Sequence, residues 1–329
     1  MKRRIVIVGL GSIGRRHARL LNQREDVAVE FCEPDAANLQ RAVEECGAHP
    51  VHDTFEAALE SRPESVLIAT PHSLHAAQTI PALEAGIHVL CEKPISDNVA
   101  DGRRMLAAAA ASGRILDVGF MLHFHPGLLR LRELIRDRTL GTIVHVHCRV
   151  GSYITLVNST SRHQAKVEGA LLLDYTHQPD LLAWFLEKRP AGVYMTGAQT
   201  GEMEFSSNPN CATLVCDYDE PLLATVHLNY LQMPERAEYE VVGDRGWAVY
   251  DFNSGSLRRG RREEQDVVEE RIATERDPVY AAEHQAFFDT IDGKREPESP
   301  AEKALVSLEI VEAALVSWRQ QQRVALSAG

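Results

Sequence analysis

The sequence predicts an α/β fold in two parts: a doubly wound parallel sheet first, then an α+β domain with a large, mostly antiparallel open sheet. Three observations predict it. Up to about residue 119, short apolar runs alternate with helical segments. From Thr142 to Gly151 the pattern changes to period two, and from Gly192 strands follow one another without helices between them. The length of 329 residues suits two domains of roughly 150 residues each. The expected domains are 1–122 and 123–329.

Arg4 to Val8 reads as a buried strand. It runs into Gly9-Leu10-Gly11-Ser12-Ile13-Gly14, and Arg15 to Gln23 is the helix that follows. This is G-x-G-x-x-G between a strand and a helix, the setting in which it binds a dinucleotide. Gly9 permits the tight turn, and Gly11 lets a pyrophosphate approach the backbone. Ser12 and Ile13 open the helix toward that phosphate, and Gly14 lets helix and strand pack closely. The plainer alternative is a glycine turn in a βαβ unit that binds no nucleotide. The next strand, Val27 to Cys32, ends at Glu33, roughly 20 residues beyond the motif, where such folds place the acid that holds the ribose. A carboxylate there accepts from both ribose hydroxyls and repels a 2′-phosphate. No arginine adjoins it, so NAD is expected rather than NADP.

The alternation continues with a helix from Asp35, its expected N-cap, to Cys46, and a short helix from Phe55 to Glu60. Ser65 to Ala69 is a strand, followed by Thr70-Pro71-His72-Ser73-Leu74-His75 and a helix to Ala85. Ile87 to Cys91 is a strand, followed by Glu92-Lys93-Pro94. A helix from Asp97 to Ser112 and a strand from Ile115 to Gly119 complete this half. Ligands of open α/β sheets bind outside the carboxyl ends of the strands. Thr70, Pro71, His75, Glu92 and Lys93 are therefore expected at the cofactor. A lysine at that position can meet a substrate, and Pro94 constrains it; otherwise it is a surface residue of a strand-to-helix loop. His72 and His75 have no evident third ligand, so no metal is expected.

Composition excludes several function classes. A net charge of −12 argues against nucleic acid or an anionic membrane as the main partner. No apolar stretch approaches the ~20 residues of a membrane helix, and the glycines and arginines from Gly11 to Arg16 break the resemblance of the start to a signal peptide. Six scattered cysteines without a C-x-x-C pair suit a reducing cytoplasm.

In the second half, Phe124 to Arg138 has a helical apolar face. From Thr142 to Gly151, Val144, Val146, Cys148 and Val150 alternate with His145, His147 and Arg149, the latter expected to face solvent or an interface. A helix is expected from Gly169 through Asp174 and His177 to Leu186, with Asp174, His177 and Asp180 on one face. Strands are expected over 192–199, 211–218, 222–231, 237–243 and 247–252, with a hairpin turn at Gly243-Asp244-Arg245-Gly246. The charged run from Arg258 to Glu264 reads as a solvated hairpin end. Helices from Tyr280 to Asp292 and Pro300 to Gln322 close the chain.

Five segments together carry a family resemblance: V-G-L-G-S-I-G-R-R-H-A-R-L-L (8–21), A-T-P-H-S-L-H (69–75), A-L-E-A-G-I-H-V-L-C-E-K-P-I (82–95), G-F-M-L-H-F-H-P (119–126) and L-L-L-D-Y-T-H-Q-P-D (171–180). In this order the chain resembles the glucose–fructose oxidoreductase/inositol dehydrogenase/MocA family, and E-K-P after the A-G-x-H-V strand is its most specific element. The resemblance implies a Rossmann domain and an NAD(P)-dependent oxidoreductase. It implies hydride transfer at a secondary alcohol or ketone of a sugar, sugar derivative or cyclitol. It also implies Lys93, Asp174 and His177 as catalytic residues, and a homodimer or homotetramer formed through the open face of the second sheet. His123, Tyr153, His163 and Gln178 are the further expected substrate contacts. Glu168-Gly169-Ala170, the three-residue spacing of Asp174 and His177, and His123 in place of an arginine depart from the common pattern around the substrate. Two alternatives stand beside this reading: an imine or enone reductase related to the biliverdin reductases, and a non-catalytic nucleotide-sensing regulator like the yeast galactose repressor. An intact lysine and histidine count against the first, and the intact E-K-P lysine counts against the second.

Overall fold

The computed structural model describes residues 2–158 and 167–326. The chain divides into two compact units: Met1–Met121 with Arg276–Leu305, and Leu122–Glu275 with Val306–Gly329. A single crossing after residue 122 was expected. Instead the chain returns to the first unit after Glu275, because Phe287 and Phe288 of that returning segment are buried in the first unit's core.

The first unit contains a six-stranded parallel sheet. In chain order its elements are β1 (Arg3–Val8), α1 (Ser12–Asn22), β2 (Val27–Cys32), α2 (Ala36–Cys46), β3 (Val51–His52), α3 (Phe55–Glu60), β4 (Ser65–Ile68), α4 (His75–Glu84), β5 (His88–Glu92), α5 (Val99–Ser112) and β6 (Leu116–Gly119). The strand order β3-β2-β1-β4-β5-β6 reverses direction between β1 and β4. That reversal opens a crevice at the carboxyl ends of the strands. Both faces of the sheet are covered, so β1, β4 and β5 read as unbroken apolar runs. Ile5, Ile7, Phe31, Leu67 and Leu90 form one side of the core. Asp35 caps α2, accepting the Asn38 N–H at 2.8 Å. β3, which the sequence does not announce, is two residues long at the sheet's edge, too short to show a period.

The second unit begins with α6 (Pro126–Arg136), β7 (Ile143–Gly151) and α7 (Ile154–Asn158), followed by α8 (Ala170–Asp174) and α9 (His177–Leu186). The strands β8 (Gly192–Ala198), β9 (Cys211–Asp217), β10 (Leu223–Asn229), β11 (Arg236–Gly243), β12 (Gly246–Asp251), β13 (Ser256–Arg261) and β14 (Val268–Arg271) come next. After α10 (Asp277–Ile291) of the first unit come α11 (Ala301–Gln320) and β15 (Val324–Ala325). The nine strands order as β14-β13-β12-β11-β7-β10-β9-β8-β15. Every pairing is antiparallel except β7 with β10. In β7, Val146, Cys148 and Val150 are buried and His145, His147 and Arg149 half-buried, as the alternation predicts; Val144, nearer the strand's start, is exposed.

Three expectations about this unit are corrected. Asp174 and His177 do not share one continuous helix: α8 ends at Asp174, Tyr175 leaves helical geometry (φ −102°, ψ 34°), and α9 starts at His177. Pro179 supplies the reason, because in an unbroken helix its ring would meet the carbonyl of Tyr175, four residues back. Asp180 leaves the expected wet face and is buried. Arg258 to Arg261 is no hairpin end but part of β13, where Glu269 and Glu270 of β14 lie across from Arg258 and Leu257; opposite charges across the strands balance the run.

Candidate active site

In the first unit, the loops after β1, β2, β4 and β5 emerge at the same edge of the sheet, so the cofactor residues chosen from sequence share the crevice edge. Two motif glycines are required by the protein's own packing. Gly9 has φ +87°, and a Cβ on it would come within 2.8 Å of the Thr70 side chain. A Cβ on Gly14 would lie 1.9 Å from the Gly9 carbonyl oxygen. Gly11 differs: no atom lies within 4 Å of where its Cβ would be. That open space leaves room for a pyrophosphate to approach the backbone. The start of α1 fits as well, with no side-chain cap and no acidic residue in its first turn. Ser12 is exposed and Ile13 half-buried there. The N-terminal amides and the helix dipole favour an anion at that end.

Glu33 is held firmly. One carboxylate oxygen accepts the Leu10 N–H at 2.6 Å and the other the Asp35 N–H at 2.9 Å, which ties the loop after β2 to the glycine turn. Each oxygen keeps a further lone pair for a ribose hydroxyl. Thr70 is half-buried and donates to Gln78 at 2.6 Å; Pro71 is exposed.

His75 and Glu92, expected at the cofactor, are turned into the protein. The His75 ring is 1% exposed, with Nδ1 2.8 Å from the Pro94 carbonyl oxygen and Nε2 3.0 Å from that of Thr70. It straps together the loops after β4 and β5. Burial outweighs these carbonyls and lowers its pKa. Glu92 is buried, accepting the Lys93 N–H at 3.0 Å and facing His17 Nε2 at 2.9 Å. Lys93 itself is half-buried at the end of β5, and its bond to Pro94 is cis.

In the second unit, Asp174 and His177 are both half-buried, at the end of α8 and the first position of α9. The Tyr230 phenol donates to Asp174. Burial, with Asp174 second, raises the Tyr230 pKa far above its ordinary value, so the phenol keeps its proton. Gln178 is buried and donates to Tyr239 Oη at 3.3 Å, while its Oε1 has no hydrogen-bond partner among the described residues. Tyr153 is half-buried, its N–H donating to the Gln232 carbonyl at 2.8 Å. His123 is 2% exposed, 2.6 Å from Asp180 and stacked on Trp184 at 4.6 Å. Its partners Asp180 and Trp184 turn it toward the interior of its own unit. His163 lies outside the described residues. His17, His284, Tyr230 and Tyr239 were not singled out from sequence. His17 stood within the 8–21 segment, but nothing local reveals a partner far along the chain. Among the described residues no group of three or more His, Cys, Asp or Glu could hold a metal, and no helix is long and apolar enough to cross a membrane.

Comparison with known proteins gives the family and the fold. Residues 3–120 match the model described as an oxidoreductase family with an NAD-binding Rossmann fold, and residues 128–249 match the Gfo/Idh/MocA C-terminal domain. Inositol 2-dehydrogenase of Corynebacterium glutamicum is 26% identical over 261 residues, covering 78% of this chain and 75% of that protein. Myo-inositol 2-dehydrogenase from Lactobacillus plantarum superposes with a TM-score of 0.85 at 21% identity, over 99% of this chain and 100% of that one. Scyllo-inositol dehydrogenase from Lactobacillus casei, solved with NAD(H) and scyllo-inositol, gives 0.84 at 20% identity over 99% of both chains. With a glycine turn, Glu33 and the E-K-P lysine all at one sheet edge, the chain belongs to the Gfo/Idh/MocA oxidoreductase family, and its first unit is that family's NAD-binding Rossmann domain.

Proposed function

We propose that the protein is an NAD-dependent dehydrogenase of a cyclitol, sugar or sugar derivative, moving a hydride between the nicotinamide and a secondary alcohol. The observation that carries it is Lys93 at the end of β5, on the same sheet edge as the Gly9–Gly14 turn and Glu33. The inositol dehydrogenases among its relatives support the substrate class. NAD, when bound, supplies the hydride acceptor. His177 takes the hydroxyl proton as general base, a task that suits an imidazole near neutral pH. Lys93 donates to the alcohol oxygen and stabilises the negative charge that develops there. Asp174, itself held by Tyr230, orients the substrate or His177. Tyr153, His163 and Gln178 remain candidates for substrate contact; the unpartnered Gln178 Oε1 supports that role for Gln178. Glu33 underlies a preference for NAD over NADP. A dimer or tetramer through the open face of the second sheet, in a reducing cytoplasm, completes the reading; all six cysteines are free thiols.

The test is a panel of cyclitols and sugars offered with NAD and, separately, with NADP, followed at the near-ultraviolet band of the reduced nicotinamide. At least one polyol should turn over with NAD. Lys93→Met should lower that kcat by about 10³-fold or more while NADH binding persists. Near-parental turnover in Lys93→Met would remove the lysine from the mechanism. Tight NADH binding without turnover of any polyol would favour a nucleotide-sensing regulator.

A further inference from the structure

Behind the lysine loop lies a buried chain of ionisable side chains that this reaction does not use. Glu92 gives one carboxylate oxygen to the Lys93 N–H, at 3.0 Å, and the other to His17 Nε2, at 2.9 Å. His17 Nδ1 lies 2.7 Å from His284 Nε2. His17 comes from α1 and His284 from α10, each 1% exposed, and all four residues belong to the first unit.

The hydrogen positions follow from the ends of this chain. One Glu92 oxygen accepts the Lys93 N–H, and the His17 tautomer that completes the line carries its proton on Nε2, toward the other oxygen. His17 Nδ1 is then the acceptor for His284 Nε2–H. Burial, followed by the neighbouring His17 and Arg24, holds the His284 pKa well below its usual value. The ring is therefore neutral with Nδ1 bare, and Nδ1 is the atom that has no partner among the described residues. β6 leaves space for the carboxylate: a Cβ on Gly119 would lie 3.2 Å from Glu92 Cδ.

Such a network is a poor device for stability, since apolar residues of equal volume often serve as well or better. What it supplies is orientation. A carboxylate held at both oxygens cannot turn, and one of its partners is the main chain of the residue that meets the substrate.

We propose that His17 and His284 are positioning residues for Lys93, acting through the Glu92 carboxylate, which they hold in the orientation that receives the Lys93 N–H. This rests on the reading of Lys93 given above. Two substitutions at one site test it in the NAD-bound enzyme. In His17→Gln the side-chain amide reaches about as far as Nε2 and still donates to Glu92; in His17→Asn it stops short. His17→Asn should lower kcat by about 10–100-fold, the usual cost of losing an orienting partner, with the NADH Kd within about twofold of the parent. His17→Gln, which keeps the donor to Glu92 but not the Nδ1 acceptor for His284, should lose no more kcat than His284→Leu and less than His17→Asn. In crystals of the two NAD complexes the Lys93 N–H bond to Glu92 should persist in His17→Gln and be lost in His17→Asn. His284→Leu should lower kcat in the same sense, and an unchanged kcat there removes His284 from the proposal. Equal losses in both His17 variants, or a loss expressed as weaker NADH binding with kcat intact, overturn it. So does a His17→Asn crystal in which the Lys93–Glu92 bond is unchanged, a result that needs no substrate. Lys93→Met keeps the two readings apart: full turnover there refutes the lysine's role, while the crystals still decide whether His17 holds Glu92.

Discussion

Glu283, on α10, is a buried carboxyl group without compensation from hydrogen bonds, since neither of its oxygens has such a partner among the described residues. Burial, then Glu92 and Asp117, raises its pKa well above the ordinary value, so the native protein keeps it protonated. The unfolded chain releases that proton above a pKa of about 4.3. Between that point and the raised native pKa the native state binds more protons, so stability falls as pH rises. Glu283→Gln removes this dependence. Thermal melts should show the variant gaining on the parent from pH 5 to pH 8, by about 2–4 °C for each kcal/mol recovered. A constant difference across that range would show that Glu283 does not titrate as described. His284 and His75 act in the opposite direction, because burial depresses both. The unfolded chain takes up their protons below a pKa of about 6.5 and the native state resists, so their contribution is lost as pH falls.

At the scale of the element, the glycine turn between β1 and α1 separates what the fold needs from what the cofactor needs. Gly14→Ala forces a methyl group against the Gly9 carbonyl and should cost roughly 1–3 kcal/mol, the range for overpacking. Gly11→Ala meets nothing within 4 Å, and the backbone there, φ −63° and ψ −168°, accepts any L-residue. Its stability should stay within about 0.5 kcal/mol of the parent, while NADH affinity falls by on the order of tenfold or more, about 1.4 kcal/mol. Denaturant melts and fluorescence titrations of the two variants measure both quantities. A Gly11→Ala variant that binds NADH at parental strength would place the pyrophosphate elsewhere. The break between α8 and α9 shows the limit of reading by period. Asp174 and His177 have helical spacing, but Pro179 acts on the carbonyl four residues before it, and that backbone conflict outweighs the side-chain pattern.

For the molecule as a whole, the proposed assembly through the open face of the second sheet can be tested directly. His147, Arg149, Thr213, Val215, Thr225 and His227 lie on that face, all half-buried. Light scattering should give the mass of a dimer or tetramer, and Val215→Arg, which sets a charge among these groups, should lower it at least by half at micromolar concentration. A monomeric parent would remove this face as an interface. Much was determined by sequence alone: the two sheets, the glycine turn with Glu33, the lysine after β5, and with them the family. Each rests on residues close in the chain, where strand, turn and helix preferences are local. Tertiary structure decided the rest. The return of α10 to the first unit, the turning of His75 and Glu92 into the protein, the burial of His123 against Asp180, and the line from His284 through His17 to Glu92 all join residues far apart in sequence. Whether a polar side chain faces a ligand or a buried partner depends on where desolvation can be compensated by hydrogen bonds, and only the folded chain brings those partners together.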